Sequence, residues 1–323
     1  MERLDDFMAR ANAAYYASHD PYADFTTAPE IFQGFGEVLG LWVAVVWQTM
    51  GAPDPVILAE AGPGRGTLMA DALRAIGRAA PAFRAALRVH LVETSPRLRA
   101  LQAGHLPGAV WHDRVGHLPP GPLLLLANEF LDALPIRQFV RRGAGWTERH
   151  VQSGRFVEVP APPPGPDAGD GEVMELGEAA RDVAAVLGAR LAAGGGAALF
   201  IDYGPERHAP GDSLQALRGR APADPLAAEG EADLTAHVDF SAVAAAARAA
   251  GAAVQGPVPQ GLFLARLGLP QRADALARGL PPARAAALLQ AVRRLIEPDA
   301  MGRLFKVLAV CHPGLPELPG FVA

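Results

Sequence analysis

The chain has 323 residues, half of them hydrophobic and a fifth charged, which is enough to bury a sizeable core and argues against general disorder. Its formal charge of −5 argues against a nucleic-acid binder that relies on a general positive field. A single cysteine, Cys311, excludes an intramolecular disulfide and any cysteine-cluster zinc site.

Residues 1–50 read as helical around a Pro-, Asp- and Thr-punctuated loop at 18–30. The opening "MERLDDFMAR" is acidic and lacks the apolar stretch and cleavage pattern of a secretory signal. With one cysteine in the chain, a cytoplasmic location is expected. The most apolar run, "VLGLWVAVVWQTM" (38–50), falls short of the roughly 20 residues that cross a bilayer, so it reads as a buried helix and no membrane insertion is expected.

From residue 51 the pattern changes. Strand-like runs are "VILAE" (56–60), "RVHLVE" (88–93), "LLLLANE" (123–129) and "AALFIDY" (197–203), with helix-like segments between the first two and before the last. Unbroken apolar runs of this kind suit parallel strands covered on both faces. Their alternation with helices predicts an α/β fold, a doubly wound sheet holding its ligand at the carboxyl ends of the strands. Residues 136–159 read as an inserted antiparallel ribbon and 160–172 as a Pro/Gly-rich connector. After Tyr203 come a polar loop, Ala-rich helices and a last strand, "LFKVLAV" (304–310). The expected units are therefore 1–50, a core at 51–210 with its insertion at about 136–172, and a helical region at 211–323 that returns one strand to the core.

The glycines after the first strand read Glu60-Ala61-Gly62-Pro63-Gly64-Arg65-Gly66-Thr67. A dinucleotide fingerprint needs its third glycine where Thr67 stands, and a phosphate loop of the Gly-Lys-Ser/Thr kind needs a lysine that is absent. The remaining form, E-x-G-x-G-x-G, lets the backbone approach a ligand closely. Glu60 would repel a pyrophosphate but suits a ligand carrying an ammonium and a sulfonium, which favours S-adenosylmethionine (SAM). Glu93, ending the second strand, can accept both ribose hydroxyls, although it could also cap the turn that follows. Asp113 is a partner for the adenine amino group, with a solvated loop acid as the alternative.

The run "LLLLANEFLDALPIRQF" delivers Asn128, Glu129 and Asp132 to the same end of the sheet. Two carboxylates there can do acid–base work or clamp a cation, and no ligand set for a metal accompanies them. Asp132 could instead cap a helix beginning near "ALPI". With SAM as cofactor, an acidic site makes most sense for a cationic methyl acceptor such as arginine.

These segments resemble the MidA-like class I SAM-dependent methyltransferases. The resemblance runs over nearly the whole chain and is most particular at "DFTTAPEI", "NEFLDALPI" and "ADLTAHVDF". Ala23 stands where the family usually has glycine, and Leu131 where it usually has a second aromatic. Eukaryotic members are mitochondrial, support respiratory complex I assembly and methylate one of its subunits on arginine. The resemblance therefore implies a Rossmann-like class I sheet and a protein substrate, a complex I subunit or its bacterial counterpart. It also implies that Thr26, Thr27 and Glu30 close over the cofactor. Glu60, Gly62, Gly64, Gly66 and Glu93 would hold SAM, and Asn128, Glu129 and Asp132 would lie beside the transferred methyl. Asp202, Tyr203, His237 and Asp239 would face the acceptor. The competing expectations are a SAM-binding assembly factor without catalysis, and a methyltransferase acting on a small molecule or a different side chain.

Overall fold

The computed structural model describes residues 1–19, 24, 26–165, 168–227 and 229–322. Ala23, together with part of the 18–30 loop and part of the 160–172 connector, lies outside the described residues. The centre is a seven-stranded sheet built from β1 (Val56–Ala61), β2 (Leu87–Val92), β3 (Val110–His112), β4 (Leu123–Asn128), β5 (Gly196–Tyr203), β6 (Ala253–Pro259) and β7 (Phe305–Cys311). Their order across the sheet is β3-β2-β1-β4-β5-β7-β6. Only β7 runs against its neighbours, pairing antiparallel with both β5 and β6. The chain reverses its winding direction between β1 and β4, and at that switch point a crevice opens beyond the strand ends.

The apolar runs are buried because both faces are covered. Leu58, Leu124, Leu199 and Val307 point to one side, where they meet Phe35, Trp42 and Val46 of α2 (Gln33–Thr49) and Leu68 and Ile76 of α3 (Thr67–Ala79). Ile57, Leu125, Phe200 and Leu308 point to the other, against Leu187 and Leu191 of α5 (Glu178–Gly194) and Phe240 and Val243 of α6 (Phe240–Ala249). Each such side chain contributes roughly 1.5–3 kcal/mol when fully buried. α2 lies very close to α3: a Cβ on Gly40 would sit 2.7 Å from Ala72 Cα, so only glycine permits the approach. Among the described residues no helix is long and apolar enough to cross a membrane.

The insertion is broader than the expected ribbon. Strands Arg137–Arg142, Gly145–Gln152, Arg155–Ala161 and Val173–Leu176 form an antiparallel sheet, and Glu2–Arg3 joins it from the N-terminus. That strand leads straight into α1 (Leu4–Ser18), whose Leu4, Phe7, Met8 and Ala11 pack on Ile136, Val151 and Leu234. α1 is thereby laid across the mouth of the crevice. The region after residue 211 holds the expected helices, but also β6 and a small three-stranded sheet of Gln215–Arg218, Ala221–Ala223 and Asp233–Thr235. Neither is visible in the sequence: β6 reads "AVQGPVP", interrupted by Gly256 and Pro257, and it is only half-buried.

Candidate active site

β1 delivers a buried Glu60 to the switch point, and the chain then turns through Gly62, Gly64 and Gly66 at φ of +65°, +54° and +82°. These are left-handed conformations that a side chain opposes. Gly66 is the N-cap of α3. A Cβ on Gly62 would meet the Phe130 ring at 3.0 Å. Gln102, from α4 (Pro96–His105), fixes the loop from beneath. Its amide nitrogen donates to Gly64 O at 2.7 Å and to Glu93 Oε2 at 3.3 Å, and its oxygen accepts from Trp111 Nε1 at 2.7 Å.

Above this loop lies a cavity of about 680 Å³, within the range of small-molecule sites. Of the residues expected to hold cofactor, Thr27, Glu60, Gly62, Gly64, Glu93, Asp113 and Asn128 line it, together with Glu30 and Glu129. Thr26 and Gly66 do not. Burial pushes the Glu60 carboxyl up to about 8, opposed by a hydrogen bond from the Met69 backbone, and its Oε2 has no partner among the described residues. Burial also raises Glu93, which accepts from Ser95 N at 2.8 Å; Ser95 itself caps α4. Asp113 is exposed and ion-paired to Arg99 at 2.6 Å. Asn128 donates to Glu129 Oε1 at 3.0 Å, which leaves its own Oδ1 buried without a partner.

Glu129 has φ of +50°, an uncommon value for a non-glycine residue and one associated with functional sites. Its Oε1 also accepts from Ala28 N at 3.1 Å, and Glu30 bonds the Thr67 hydroxyl. The segment after Thr27 is therefore tied over the cavity from both sides. Burial raises the Glu129 carboxyl to about 7, with Asp132 adding to the rise and the bonds from Ala28 and Asn128 opposing it.

Residues 130–134 form a turn, so there is no helix near "ALPI" for Asp132 to cap. The buried Asp202 holds that turn, its Oδ2 accepting from the amides of Phe130 (3.2 Å), Leu131 (2.9 Å) and Asp132 (3.2 Å). Burial, then Asp132, raise Asp202 well above the usual carboxylate range. Asp132 is raised by burial and shares a side-chain hydrogen bond with Tyr203. Leu131 is buried against the α5 and α6 side of the sheet, which accounts for an aliphatic residue there.

The acceptor-side expectations are redistributed. Asp202 supports the turn, and Asp239 caps α6, accepting from Ala242 N at 3.0 Å and Ser241 Oγ at 2.6 Å. His237 is exposed, with its ring edge-on to Tyr203 at 5.6 Å. None of these four residues lines the cavity. Sequence reasoning misses Tyr16, which does, and Asp233 behind it. The Tyr16 hydroxyl donates to Asp233 Oδ1 at 2.6 Å, and burial raises Asp233 to about 7. The acid in "ADLTAHVDF" and the second tyrosine of "AAYYASHDPY" are the available signals, but nothing local connects them. Among the described residues Glu60, Glu129, Asp132, Asp202 and Asp233 form no ion pair with Lys or Arg.

A switch-point crevice, a left-handed glycine loop and unpaired buried acids define a site for a nucleoside ligand that carries positive charge. The family model of S-adenosyl-L-methionine-dependent methyltransferases, Methyltransf_28, matches residues 38–258. The zebrafish (Danio rerio) mitochondrial protein arginine methyltransferase NDUFAF7 is 32% identical, covering 96% of this chain and 82% of that one. The human protein of the same name is also 32% identical, covering 96% and 79%. A Burkholderia thailandensis crystal structure bound to S-adenosyl-homocysteine superposes with a TM-score of 0.82 at 28% identity, covering 99% of this chain and 90% of that one. The chain belongs to the Methyltransf_28 family and is a class I SAM-dependent methyltransferase, as the MidA-like resemblance implied.

The residues present fit that cofactor. Glu60 Oε2 and Asn128 Oδ1 are buried acceptors without donors among the described residues, and the glycines leave room that a Cβ at Gly62 would fill. When bound, SAM supplies an electrophilic methyl on a sulfonium.

Proposed function

We propose that this methyltransferase modifies arginine in a protein, and that its acceptor is a respiratory complex I subunit or its bacterial counterpart. The observation that carries the arginine assignment is Glu129 on the cavity wall, without an ion-pair partner among the described residues, backed by the buried carboxyls of Asp132, Asp202 and Asp233. Buried carboxylates without cations are held at raised pKa, and an incoming guanidinium restores their charge. A neutral or anionic acceptor gains nothing from a carboxylate so placed. The relatives named protein arginine methyltransferase support the same reading, and the MidA-like motifs support the complex I client. A single buried cysteine suits a cytoplasmic enzyme.

In this reading Glu93 holds the ribose hydroxyls, and Glu60 and Asn128 receive the cationic amino-acid end of the cofactor. Glu129 orients the guanidinium and keeps positive charge on the nitrogens that do not react, and Asp132, buried behind the cavity lining, adds to the negative field there. Glu129, on the cavity wall, is also the carboxylate placed to accept the proton that the methylated nitrogen must lose. Near-attack placement, with water excluded by the segment tied at Ala28, supplies the rest.

The test is transfer of labelled methyl from SAM to protein in an extract, with the modified residue read by mass spectrometry. Methylated arginine in a complex I subunit, lost in Glu129→Ala while that variant still binds S-adenosylhomocysteine, supports the reading. Label on a metabolite or on another side chain overturns the acceptor. Cofactor binding with no transfer to any client favours an assembly factor.

A further inference from the structure

A second cavity, of about 450 Å³, lies behind the glycine loop, between α3, the start of β2 and the turn that leads from α4 to β3. Its charged and titratable lining is Arg74, Arg84, Arg88, His90 and His105, and among the described residues no carboxylate lines it in a chain whose net charge is −5. The three arginines differ in how they are satisfied. Arg74 is neutralised, bonding Asp71 at 2.6 Å and Glu37 at 3.1 Å. Arg88 donates only to backbone carbonyls, to Leu87 O at 3.0 Å and Ala85 O at 3.5 Å, and so keeps its charge. The Arg84 side chain has no hydrogen-bond or ion-pair partner among the described residues. Two exposed arginines without an acidic partner among the described residues thus share the lining of one concavity.

We propose that this cavity is a binding site for a small molecule bearing a phosphate group. A guanidinium fork matches phosphate oxygens two at a time, and Arg84 and Arg88 each bring a charge that no carboxylate on the lining offsets. The remaining walls are aliphatic, with Leu73, Leu87 and Leu106 among them, and they offer an apolar surface to the body of a phosphate ester. The cavity is large enough for such a ligand rather than for a bare ion alone. It is also joined to the cofactor site. Leu106, on its wall, stands 3.0 Å from where a Cβ on Gly66 would be, and Gln102, one turn earlier, holds Gly64.

The full chain is titrated with inorganic phosphate at constant ionic strength, followed by calorimetry and thermal shift, beside the double variant Arg84→Glu/Arg88→Glu. Saturable binding to the native chain, weakened at least tenfold in the variant, is expected. The variant's undiminished affinity for S-adenosylhomocysteine shows that it is folded. An acetate series separates phosphate from carboxylate recognition, because acetate binding as tightly as phosphate overturns the assignment. Absence of saturable binding to the native chain overturns it too, as does equal binding by the variant.

Discussion

Tyr16 and Asp233, 217 positions apart in the chain, meet through a hydrogen bond of 2.6 Å that closes one wall of the cofactor cavity. It joins the N-terminal helix to the small sheet after residue 211, so two peripheral segments complete a site the central sheet only begins. Asn12 makes the same junction, donating to Ala133 O at 3.0 Å and Leu234 O at 2.8 Å. Tyr16→Phe leaves a buried carboxyl without its donor and is expected to lower stability by about 1–3 kcal/mol. Denaturant unfolding of the pair Tyr16→Phe and Asp233→Asn measures it, and additive losses would show that the two groups do not interact.

Acid–base behaviour follows from the same burial. Glu60, Glu129 and Asp233 are raised to about 8, 7 and 7. Raised carboxyls favour the folded state fully only below their unfolded pKa, near 4, and that advantage is lost as pH rises through the folded values. Ligand-free protein is therefore expected to lose stability between about pH 4 and pH 8, and S-adenosylhomocysteine should restore more at pH 8 than at pH 6. Thermal melts across that range with and without ligand test both statements.

Binding a cation beside Glu60 favours its ionised form, so cofactor binding at pH 7 should release a proton. Calorimetry in buffers of different ionisation enthalpy reads this directly. An unchanged apparent enthalpy across buffers would remove Glu60 from contact with the ligand's positive charge.

Gly64 has φ of +54° and lines the cavity. Gly64→Arg adds backbone strain of about 1–2 kcal/mol and drives a side chain into the cofactor's place. S-adenosylhomocysteine affinity is expected to fall more than tenfold, with a folded protein by circular dichroism.

Asp202 accepts three backbone amides with one oxygen, which makes it a support for the turn carrying Asp132. Asp202→Ala strands those donors and is expected to lose about 3 kcal/mol or more. Asp202→Asn, which keeps an acceptor, should retain most of the stability. Equal losses in the two variants would show that charge rather than hydrogen bonding is what matters there.

The parts of the site that lie in continuous stretches are legible in the amino-acid sequence. The runs at 56–60, 123–129 and 197–203 declare buried parallel strands because no other arrangement hides so many apolar side chains. The loop at 60–66 declares its glycines because the turn excludes side chains, and the seven expected wall residues from Thr27 to Asn128 do face one cavity. What stays hidden depends on distant pairing. β6 carries a glycine and a proline and is only half-buried, so it has no run to read. Asp239 looks like an acceptor ligand in its motif but faces the start of α6, where the free amides of a helix terminus take it. Tyr16 and Asp233 are ordinary polar residues in their own neighbourhoods, and only the tertiary fold gives them a shared task.

Gln102 has no donor left over: both amide protons are engaged, its oxygen accepts from Trp111, and it is wholly buried. The glycine loop, the acid ending β2 and the indole of β3 are thus one rigid casting. An enzyme engineer seeking to admit a bulkier cofactor analogue would find little to gain there, since a change at any of the three disturbs the other two. The opposite rim of the cavity, where Val183 and Val186 of α5 stand without polar ties and Val186 is exposed, is where the mould can be recut.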